Sequence, residues 1–552
     1  MHNATHKAGA ALLSVEGLTV RLPRLGDRPY AVRDLSFTLD KGEILCIVGE
    51  SGSGKSICAN AIMGLLPGYL TPESGRILYQ GTDLLQQSEE TLQGLRGRKL
   101  GMIFQEPMSA LNPIMTVGEQ IAEVMAVHND RPGKARQART LELLELVGLP
   151  EPGKLQHAYP FRLSGGQRQR VMIAMALALE PDILIADEPT TALDVTTQAQ
   201  ILALIKQIQL VMRMGVMFIT HDFGVVADIA DRVAVMEKGI LVEQGPAAEV
   251  LNRPSHAYTR RLIDAVPHRR SAAAAEAGSK RGGETPVLDV RQLTKSYSVP
   301  DGLFRKRHVV AVQDVSFTVQ RGRTLGIVGE SGSGKSTIGK CLLKLVGIDS
   351  GQILFNGSDI AQMSQAEFRP MRKNVQMVFQ DPFASLNPRH TVGRIVMDGQ
   401  LANGVARGKA EHRTRELLRL VELHVGAFDR YPGEFSGGQR QRIGIARALA
   451  LDPQLLVADE LLSALDASVQ AQVLQLLMKL QAQLQIAMVF ITHDLRVAAN
   501  ICHHIAVMHR GRIVEEGTPE QVFTAPRHEY TRKLIAATPG QSWEPPRLAL
   551  AA

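Results

Sequence analysis

The 552-residue sequence is poor in cysteine, in aromatic residues and in long apolar runs. Its four cysteines, Cys46, Cys58, Cys341 and Cys502, lie far apart and form no C-x-x-C pair, which argues against a metal or iron–sulfur centre and predicts reduced, buried thiols. No run approaches the ~18 uninterrupted apolar residues of a membrane-spanning helix. The first residues lack the apolar core of a signal peptide, so we expect a cytosolic chain.

The composition excludes little else. Hydrophobic residues make up 45% and charged residues 21%, as in an ordinary globular protein with a sizeable core. The formal net charge of +7 comes from interspersed acidic and basic residues, so it does not by itself indicate a nucleic-acid or membrane surface.

One octapeptide, GESGSGKS, occurs twice and fits the phosphate-binding pattern G-x-x-x-x-G-K-[ST]. Each copy follows an apolar strand-like run and precedes a helix-like run. The pattern predicts that backbone N–H groups converge on phosphate oxygens at the start of a helix. We expect the lysine to reach the β- and γ-phosphates and the last serine to bind Mg²⁺. The copies comprise Gly49, Glu50, Ser51, Gly52, Ser53, Gly54, Lys55 and Ser56, and Gly329, Glu330, Ser331, Gly332, Ser333, Gly334, Lys335 and Ser336.

Further motifs follow each octapeptide in the same order. A strand-like run ends in Gln105 or Gln380, an SGGQ sequence then opens a helix-like run, and a second buried strand ends in Asp-Glu. We expect the glutamine and the aspartate to contact Mg²⁺ and the glutamate to polarise a water molecule. A last strand ends in Thr-His, whose histidine we expect to contact the γ-phosphate or the attacking water. The SGGQ residues are Ser164, Gly165, Gly166 and Gln167, and Ser436, Gly437, Gly438 and Gln439; the strand ends are Asp187-Glu188, Asp459-Glu460, His221 and His493.

The second half of the chain therefore repeats the first, which predicts two similar domains. We place them at residues 12–265 and 287–537, with a linker over 266–286 and a tail over 538–552. The linker is rich in small and charged residues without an apolar period. Period-two runs such as 35–39 predict antiparallel strands, and 196–209 and 468–481 predict amphipathic helices. Each domain needs a sheet with helices on both sides.

This series of motifs resembles the ATP-binding subunit of ATP-binding cassette (ABC) transporters over nearly the whole chain, twice. The resemblance implies an α/β fold of two tandem P-loop, RecA-like cassettes, each with an antiparallel β-subdomain and a helical subdomain. It implies ATP hydrolysis with Mg²⁺, and it adds Ile57 and Thr337 to the nucleotide-binding residues. In that family two cassettes pair head to tail, so each glycine-rich loop would share its ATP with the SGGQ sequence of the other half.

Two further motifs are similar to importers of the dipeptide, oligopeptide, nickel and glutathione group. These are P-x-x-[AS]-L-N-P after each glutamine, and P-x-H-x-Y-T at the end of each half, over 254–259 and 526–531. The resemblance implies two integral membrane permeases and, indirectly, an extracytoplasmic solute-binding protein as partners. It places the chain at the cytoplasmic face of a bacterial inner membrane, as a peripheral subunit without nucleic acid. The solute stays open among peptides, glutathione, nickel chelates and opines.

The halves differ where the family stacks adenine on an aromatic residue. Tyr297 occupies that place in the second half, whereas Leu22 occupies it in the first, with Tyr30 as a possible substitute. Stacking is worth roughly 1 kcal/mol or more, so we expect weaker ATP binding at the first loop. The second Asp-Glu is followed by Leu461 instead of Pro189, which either loosens the glutamate backbone or has no effect.

Other tandem cassette proteins act in translation, DNA repair or export. The translation factors carry a much longer charged linker, the repair proteins carry cysteine-rich zinc modules that are absent here, and the paired P-x-H-x-Y-T segments favour import over export. We therefore expect an importer ATPase, with a non-transport ATPase acting on ribosomes or nucleic acid as the alternative.

Overall fold

The computed structural model of the protein describes residues 11–23, 28–191, 193–266, 285–301, 305–462, 465–543 and 545–546. The chain divides into two compact units. The first comprises Met1–Leu193, Thr197–Val266 and Pro539–Ala552, and the second comprises Asp194–Thr196 and Pro267–Thr538. Residues 267–284 of the predicted linker lie outside the described residues.

The strands of the first unit form two sheets. They are β1 (Leu13–Arg21), β2 (Tyr30–Leu39), β3 (Ile44–Val48), β4 (Thr71–Tyr79), β5 (Thr82–Asp83), β6 (Leu100–Ile103), β7 (Ile183–Asp187), β8 (Gly215–Thr220), β9 (Arg232–Glu237) and β10 (Ile240–Pro246). An antiparallel sheet has the order β2-β1-β4-β5, and the larger sheet has the order β10-β9-β3-β8-β7-β6. In the larger sheet β10 pairs antiparallel with β9, and the other neighbours pair in parallel.

The helices connect and cover these strands. They are α1 (Lys55–Ile62), α2 (Glu89–Leu95), α3 (Pro107–Ala110), α4 (Val117–Val127), α5 (Gly133–Leu146), α6 (Pro152–Leu155), α7 (Gly165–Ala176), α8 (Val195–Met212), α9 (Phe223–Ile229), α10 (Ala247–Asn252) and α11 (Ala257–Asp264), with 3₁₀ turns at Leu84–Gln86 and Pro160–Arg162. The four helices α3–α6 form the expected helical insert. A capping box starts α4, since Thr116 and Glu119 each accept a backbone N–H of the other.

The second unit repeats this order of strands. They are β11 (Leu288–Asp301), β12 (Arg305–Val319), β13 (Thr324–Val328), β14 (Ser350–Phe355), β15 (Ser358–Asp359), β16 (Val375–Val378), β17 (Leu455–Asp459), β18 (Ala487–Thr492), β19 (His504–His509) and β20 (Arg512–Gly517). The sheet orders β12-β11-β14-β15 and β16-β17-β18-β13-β19-β20 correspond to those of the first unit.

The helices of the second unit also correspond to those of the first. They are α12 (Lys335–Leu342), α13 (Gln365–Phe368), α14 (Pro382–Ser385), α15 (Val392–Ala402), α16 (Arg407–Leu420), α17 (Gly437–Leu449), α18 (Ala467–Leu484), α19 (Leu495–Ile501), α20 (Pro519–Thr524) and α21 (Glu529–Ala536), with 3₁₀ turns at Arg369–Asn374, Val425–Asp429 and Pro432–Glu434. The predicted α/β fold, duplicated and carrying an antiparallel sheet and a helical insert in each copy, is confirmed.

Parallel strands buried on both faces explain the continuous apolar runs in the sequence. In β3, Cys46 and Val48 pack into the core that contains α7 and α9, whereas Leu45 and Ile47 pack into the core beneath the antiparallel sheet. Because successive strand residues point to opposite faces, one pentapeptide contributes to both cores. The predicted strand 35–39 lies within β2, and the predicted helices lie within α8 and α18.

The cysteines are all buried and unpaired, as predicted. Burial raises the pKa of the Cys341 thiol to about 11, so this thiol stays protonated at neutral pH. In the described ranges of the chain, no helix combines the length and apolar character needed to cross a membrane.

The segment that begins at Pro539 packs within the first unit, although it follows the last helix of the second. The Gly540 N–H donates to the Asp228 carboxylate over 2.9 Å, and the Trp543 indole N–H donates to the Asn252 side-chain oxygen over 3.2 Å. The Trp543 ring is partly buried against the core that contains α9 and α10. The five residues from Pro539 to Trp543 are thus held by an apolar contact and two hydrogen bonds.

We predict that Asn252→Ala loosens this segment by about 1 kcal/mol, the net value of one hydrogen bond. Trp543 is the only tryptophan in the chain, so its emission reports the docking directly. The emission should shift to the red and acrylamide quenching should increase. Asn403→Ala is the matched control, because Asn252 and Asn403 each donate to the carbonyl four residues earlier, whereas only Asn252 accepts from Trp543. Wild-type emission equal to that of the unfolded chain would contradict the docking.

Candidate functional site

The glycine-rich loop of each half lies between the central strand of the large sheet and a helix. In the first half, β3 ends at Val48 and α1 begins at Lys55. Gly54 has φ 100°, and a Cβ atom there would lie 2.6 Å from the Ala31 carbonyl oxygen. The second half repeats this at Gly334, with φ 105° and a distance of 2.1 Å to the Ala311 oxygen. Only glycine combines this left-handed backbone with such close approach.

The lysine of each loop donates hydrogen bonds to carbonyl groups of the same loop. The Lys55 ammonium donates to the Gly49 carbonyl over 2.7 Å and to the Glu50 carbonyl over 2.9 Å. Lys335 bonds Gly329 and Glu330 in the same way, over 2.7 Å each. Burial lowers the pKa of Lys335, although nearby carboxylates oppose that shift. Each positive charge is therefore held inside the ring of backbone that the loop forms.

A hydroxyl and a carboxylate meet beside each lysine. The Ser56 hydroxyl donates to Asp187 over 3.1 Å, and Ser336 donates to Asp459 over 3.0 Å. Both aspartates end a parallel strand. Ligands of parallel sheets bind at the carboxyl ends of the strands. Burial raises the pKa of both carboxyl groups. A cation at this position would relieve the cost of burying the ionised carboxylate, and the donors are oxygen atoms, which Mg²⁺ prefers.

Two predicted side chains of the first half, Gln105 and His221, converge on the carboxylate of a third, Glu188. Gln105 donates its amide N–H to Glu188 over 3.1 Å, and His221 Nδ1 lies 3.3 Å from the other oxygen of Glu188. The Gln105 amide oxygen remains available to a cation. The Thr191 hydroxyl also donates to Glu188 over 3.0 Å, a contact that the sequence analysis did not predict.

The second half has the same arrangement around Glu460. Gln380 donates to this carboxylate over 2.7 Å, and His493 Nδ1 lies 3.6 Å from it. Glu188 and Glu460 have φ 46° and 44°, and their N–H groups donate to Ile219 and Ile491. The replacement of Pro189 by Leu461 therefore leaves the backbone of the glutamate unchanged.

The pKa values of the adjacent carboxyl groups shift in opposite directions. Burial alone would raise the pKa of Glu188, but the hydrogen bond and charge of His221 lower it to about 2. The contact with His493 likewise lowers the pKa of Glu460. For His221, burial opposes the positive charge, yet the hydrogen bond and charge of Glu188 raise its pKa. The glutamates thus remain ionised near neutral pH, as a group that orients water must be.

The SGGQ sequences start α7 and α17 with matching capping boxes. Ser164 accepts the Gln167 backbone N–H over 3.2 Å, and the Gln167 side chain accepts the Ser164 N–H over 3.0 Å. Ser436 and Gln439 repeat this pair. The glycines stand at the first two helical positions, where helix N–H groups favour an anion. Each unit therefore has a capped helix start at its SGGQ sequence, and anion binding there stays a prediction.

The predicted adenine contacts differ between the halves. Leu22 is partly buried against the core beneath the antiparallel sheet. Tyr30 begins β2 with the guanidinium groups of Arg21 and Arg33 within 6 Å of its ring, at 5.8 and 5.9 Å. Tyr297 lies in β11 with the Lys295 ammonium 5.6 Å from its ring centre. Weaker ATP binding at the first loop remains a prediction.

Two tyrosines that the sequence analysis did not assign also touch the loops. The Tyr258 hydroxyl accepts the Glu50 N–H over 3.2 Å, and the Tyr530 hydroxyl accepts the Glu330 N–H over 3.1 Å. Both belong to the P-x-H-x-Y-T segments. The recurrence of that segment at the end of each half was the signal that could have revealed them.

Comparisons with known proteins identify the family of this chain. Residues 32–191 and 312–463 match the family model of ABC transporters, and residues 242–296 and 514–546 match the C-terminal region of oligopeptide/dipeptide transporters. The chain is 47% identical over 566 residues to the glutathione import ATP-binding protein GsiA of Salmonella paratyphi A, covering 96% of this chain and 89% of that protein. GsiA of Pectobacterium atrosepticum is 45% identical with the same coverage. A solved dimeric bacterial ABC transporter cassette is 27% identical, spans 42% of this chain and 98% of its own, and has a TM-score of 0.38.

The pair of His221 and Glu188 makes stability depend on pH. A raised histidine pKa means that the folded state holds the proton more tightly. The contribution is therefore fully present below the unfolded pKa of about 6.5 and is lost as the pH rises through the folded value. The lowered pKa of Glu188 gives a contribution that is present above about pH 4.3 and lost as the pH falls towards about 2.

We predict that His221→Gln lowers the free energy of unfolding by about 1 kcal/mol between roughly pH 4.5 and 6.5, and by less at higher pH. Urea unfolding at a series of pH values measures the difference. His412→Gln is the control, because His412 forms an exposed pair with Glu416 that should contribute little. A difference that grows as the pH rises above 6.5 would contradict the assigned direction.

Proposed function

Because the chain belongs to the ABC transporter family of ATP-binding proteins, with C-terminal regions of the oligopeptide/dipeptide type, we propose that it powers import of a short peptide or a related solute such as glutathione. The chain is an ATP-binding, ATP-hydrolysing importer subunit. The proposed solute class rests on the match of both P-x-H-x-Y-T segments to the family model of oligopeptide/dipeptide transporters. The 47% sequence identity to a glutathione import protein supports it.

We propose the following roles for the site residues. The backbone of each glycine-rich loop and its lysine, Lys55 or Lys335, bind the ATP phosphates. In the present structure these lysines bond loop carbonyls, so nucleotide binding replaces one set of acceptors by another at little cost in desolvation. The SGGQ helix starts supply further N–H groups for an anion, and their assignment to nucleotide rests on the family resemblance.

The residues present fit Mg²⁺. Ser56, Gln105 and Asp187 would hold the ion in the first half, and Ser336, Gln380 and Asp459 in the second. When bound, Mg²⁺ would offset the negative charge that develops on the phosphate during phosphoryl transfer. The Ser56 hydroxyl oxygen and the Asp187 carboxylate oxygen lie 3.1 Å apart beside the loop, so one cation could contact both.

Glu188 and Glu460 orient the attacking water in this proposal. Each is ionised and anchored through one oxygen by a glutamine, while the histidine lies near the other oxygen. Such anchoring restricts the carboxylate to a narrow range of positions, which favours one geometry for water. His221 and His493 keep the carboxylate charged and supply a polar group towards the γ-phosphate.

The helical insert is the surface that we propose for the permease. Met108 and Ile114, which follow Gln105 in the first half, are 60% and 81% exposed. At the position of Ile114 the second half has Arg389. We propose two integral permeases as partners, peripheral attachment at the cytoplasmic membrane face, and an extracytoplasmic binding protein that delivers the solute. The different side chains at this position fit two permease surfaces that are not identical.

We predict that both halves hydrolyse ATP, because both contain every chemical group of the site. Glu188→Gln or Glu460→Gln should each lower hydrolysis at the altered site on the order of 100-fold, about 3 kcal/mol of barrier. The measurement is ATP hydrolysis and uptake of labelled glutathione and dipeptides in vesicles with the assembled transporter. Glu106→Gln, next to the site but outside the carboxylate network, is the control. Full turnover in Glu460→Gln but none in Glu188→Gln would show one active site, and uptake of neither solute would refute the solute class.

We predict that Ile114→Asp weakens assembly with the permeases without changing ATP binding. Burying a carboxylate in an apolar contact costs several kcal/mol, so co-purification should fall at least tenfold. Arg389→Asp tests the second half, and Glu123→Asp in the same insert serves as a conservative control. Normal co-purification of both aspartate variants would place the permease contact elsewhere.

A further inference from the structure

The P-x-H-x-Y-T segments place a buried tyrosine hydroxyl against each phosphate loop. Tyr258 and Tyr530 are 3% and 8% exposed. Their hydroxyl oxygens accept the N–H of Glu50 and Glu330, the second residue of each loop. More than 200 residues of chain separate Glu50 from Tyr258, and the same contact occurs in each unit independently. Two separate copies of one contact indicate a role that the duplicated site requires.

Each tyrosine holds the peptide unit that its lysine also holds. The peptide between Gly49 and Glu50 has two polar atoms, the Gly49 oxygen and the Glu50 N–H. The oxygen accepts from Lys55 over 2.7 Å, and the N–H donates to Tyr258 over 3.2 Å. A rotation of this peptide plane would break both bonds at once. The orientation of the peptide, and with it the position of the ammonium group, is therefore fixed from two sides.

The tyrosine is itself held by the other residues of its segment. In the first unit the Glu243 carboxylate of β10 accepts the Ser255 N–H over 2.6 Å and the His256 N–H over 3.1 Å. His256 Nδ1 then accepts the Tyr258 N–H over 3.2 Å and caps α11. These bonds connect the end of the large sheet to the start of the helix that carries Tyr258.

The second unit repeats each of these bonds. Glu515 of β20 accepts the N–H groups of Arg527 and His528 over 2.8 and 3.0 Å. His528 Nδ1 accepts the Tyr530 N–H over 3.1 Å and caps α21. The histidine and tyrosine of the motif thus act together in each unit, because the histidine caps the helix whose tyrosine hydroxyl reaches the phosphate loop.

We propose that Tyr258 and Tyr530 are positioning residues for nucleotide binding, which act through the peptide at the start of each glycine-rich loop. The proposal rests on the ATP sites assigned above. Neither hydroxyl needs to touch the nucleotide. Each keeps the loop in the one backbone conformation in which its later N–H groups and its lysine can donate hydrogen bonds to phosphate oxygens. Nucleotide binding then needs little further ordering of the loop.

The test compares Tyr258→Phe, Tyr530→Phe and the double variant with wild type. Phenylalanine retains the ring and removes only the hydroxyl. Loss of the hydrogen bond to the Glu50 or Glu330 N–H predicts about fivefold weaker binding of Mg·ATPγS at the affected loop, measured by calorimetry on the full chain. In the assembled transporter the KM for ATP should rise by about the same factor, while kcat at saturating ATP stays within about twofold.

Tyr79→Phe is the matched control. Tyr79 is 6% exposed and donates its hydroxyl to Asp182 over 2.6 Å, so this variant also loses a buried hydroxyl bond, but away from the phosphate loop. Its melting temperature should fall as much as that of Tyr258→Phe, with unchanged nucleotide affinity.

Tyrosine variants with the nucleotide affinity of Tyr79→Phe would overturn the proposal, and so would a fall in kcat at constant KM. If wild type itself bound no Mg·ATPγS, the assignment of the ATP sites would fail first. Normal wild-type binding with unaffected variants refutes only the role of the tyrosines.

Discussion

The sharp bend at the carboxyl end of the central strand is the constraint on which each site depends. Within six residues the chain leaves β3 and starts α1, and Gly54 must adopt a left-handed backbone close to the Ala31 carbonyl. Because β3 pairs with β8 and β8 with β7, the ends of these strands lie beside that bend. The carboxylates at the end of β7 and the histidine after β8 therefore reach the loop without any long connection.

Two neighbouring carboxyl groups have opposite pKa shifts, which suits them to different roles in the site. Burial raises the pKa of Asp187, whereas His221 overcomes burial and lowers that of Glu188. A carboxylate whose charge is costly is suited to a cation, and one whose charge is already paired is suited to a polar water molecule. The aspartate and the glutamate are consecutive in the chain. The chain turns directly after the strand, with φ 46° at Glu188, and this turn places the two carboxyl groups in different surroundings.

The two halves keep this geometry through different neighbouring residues. Pro189 and Leu461 follow the glutamates, yet both glutamates have nearly the same φ and donate to the adjacent strand. The buried Gln441 donates to the Leu461 carbonyl over 2.9 Å, which is one local means of supporting the turn in the second half. Differences between the halves are larger at the surfaces expected to meet adenine and permease, at Leu22 against Tyr297 and at Ile114 against Arg389.

The sequence alone determined the duplication, the strand and helix types around each motif, and the identity of the groups that gather at the loop. These properties depend on local spacing: a strand that ends in an acid, or a glycine-rich turn before a helix, has the same meaning wherever it occurs. The sequence also contained the P-x-H-x-Y-T segments, but only as a mark of resemblance. Only the tertiary structure brought Tyr258 to Glu50 and Thr191 to Glu188, and only it packed Trp543 beside Asn252. Such contacts join residues that are far apart in the sequence and that meet only when a helix packs back against a sheet. The periodicity of apolar residues along the chain does not show which distant residues will be in contact.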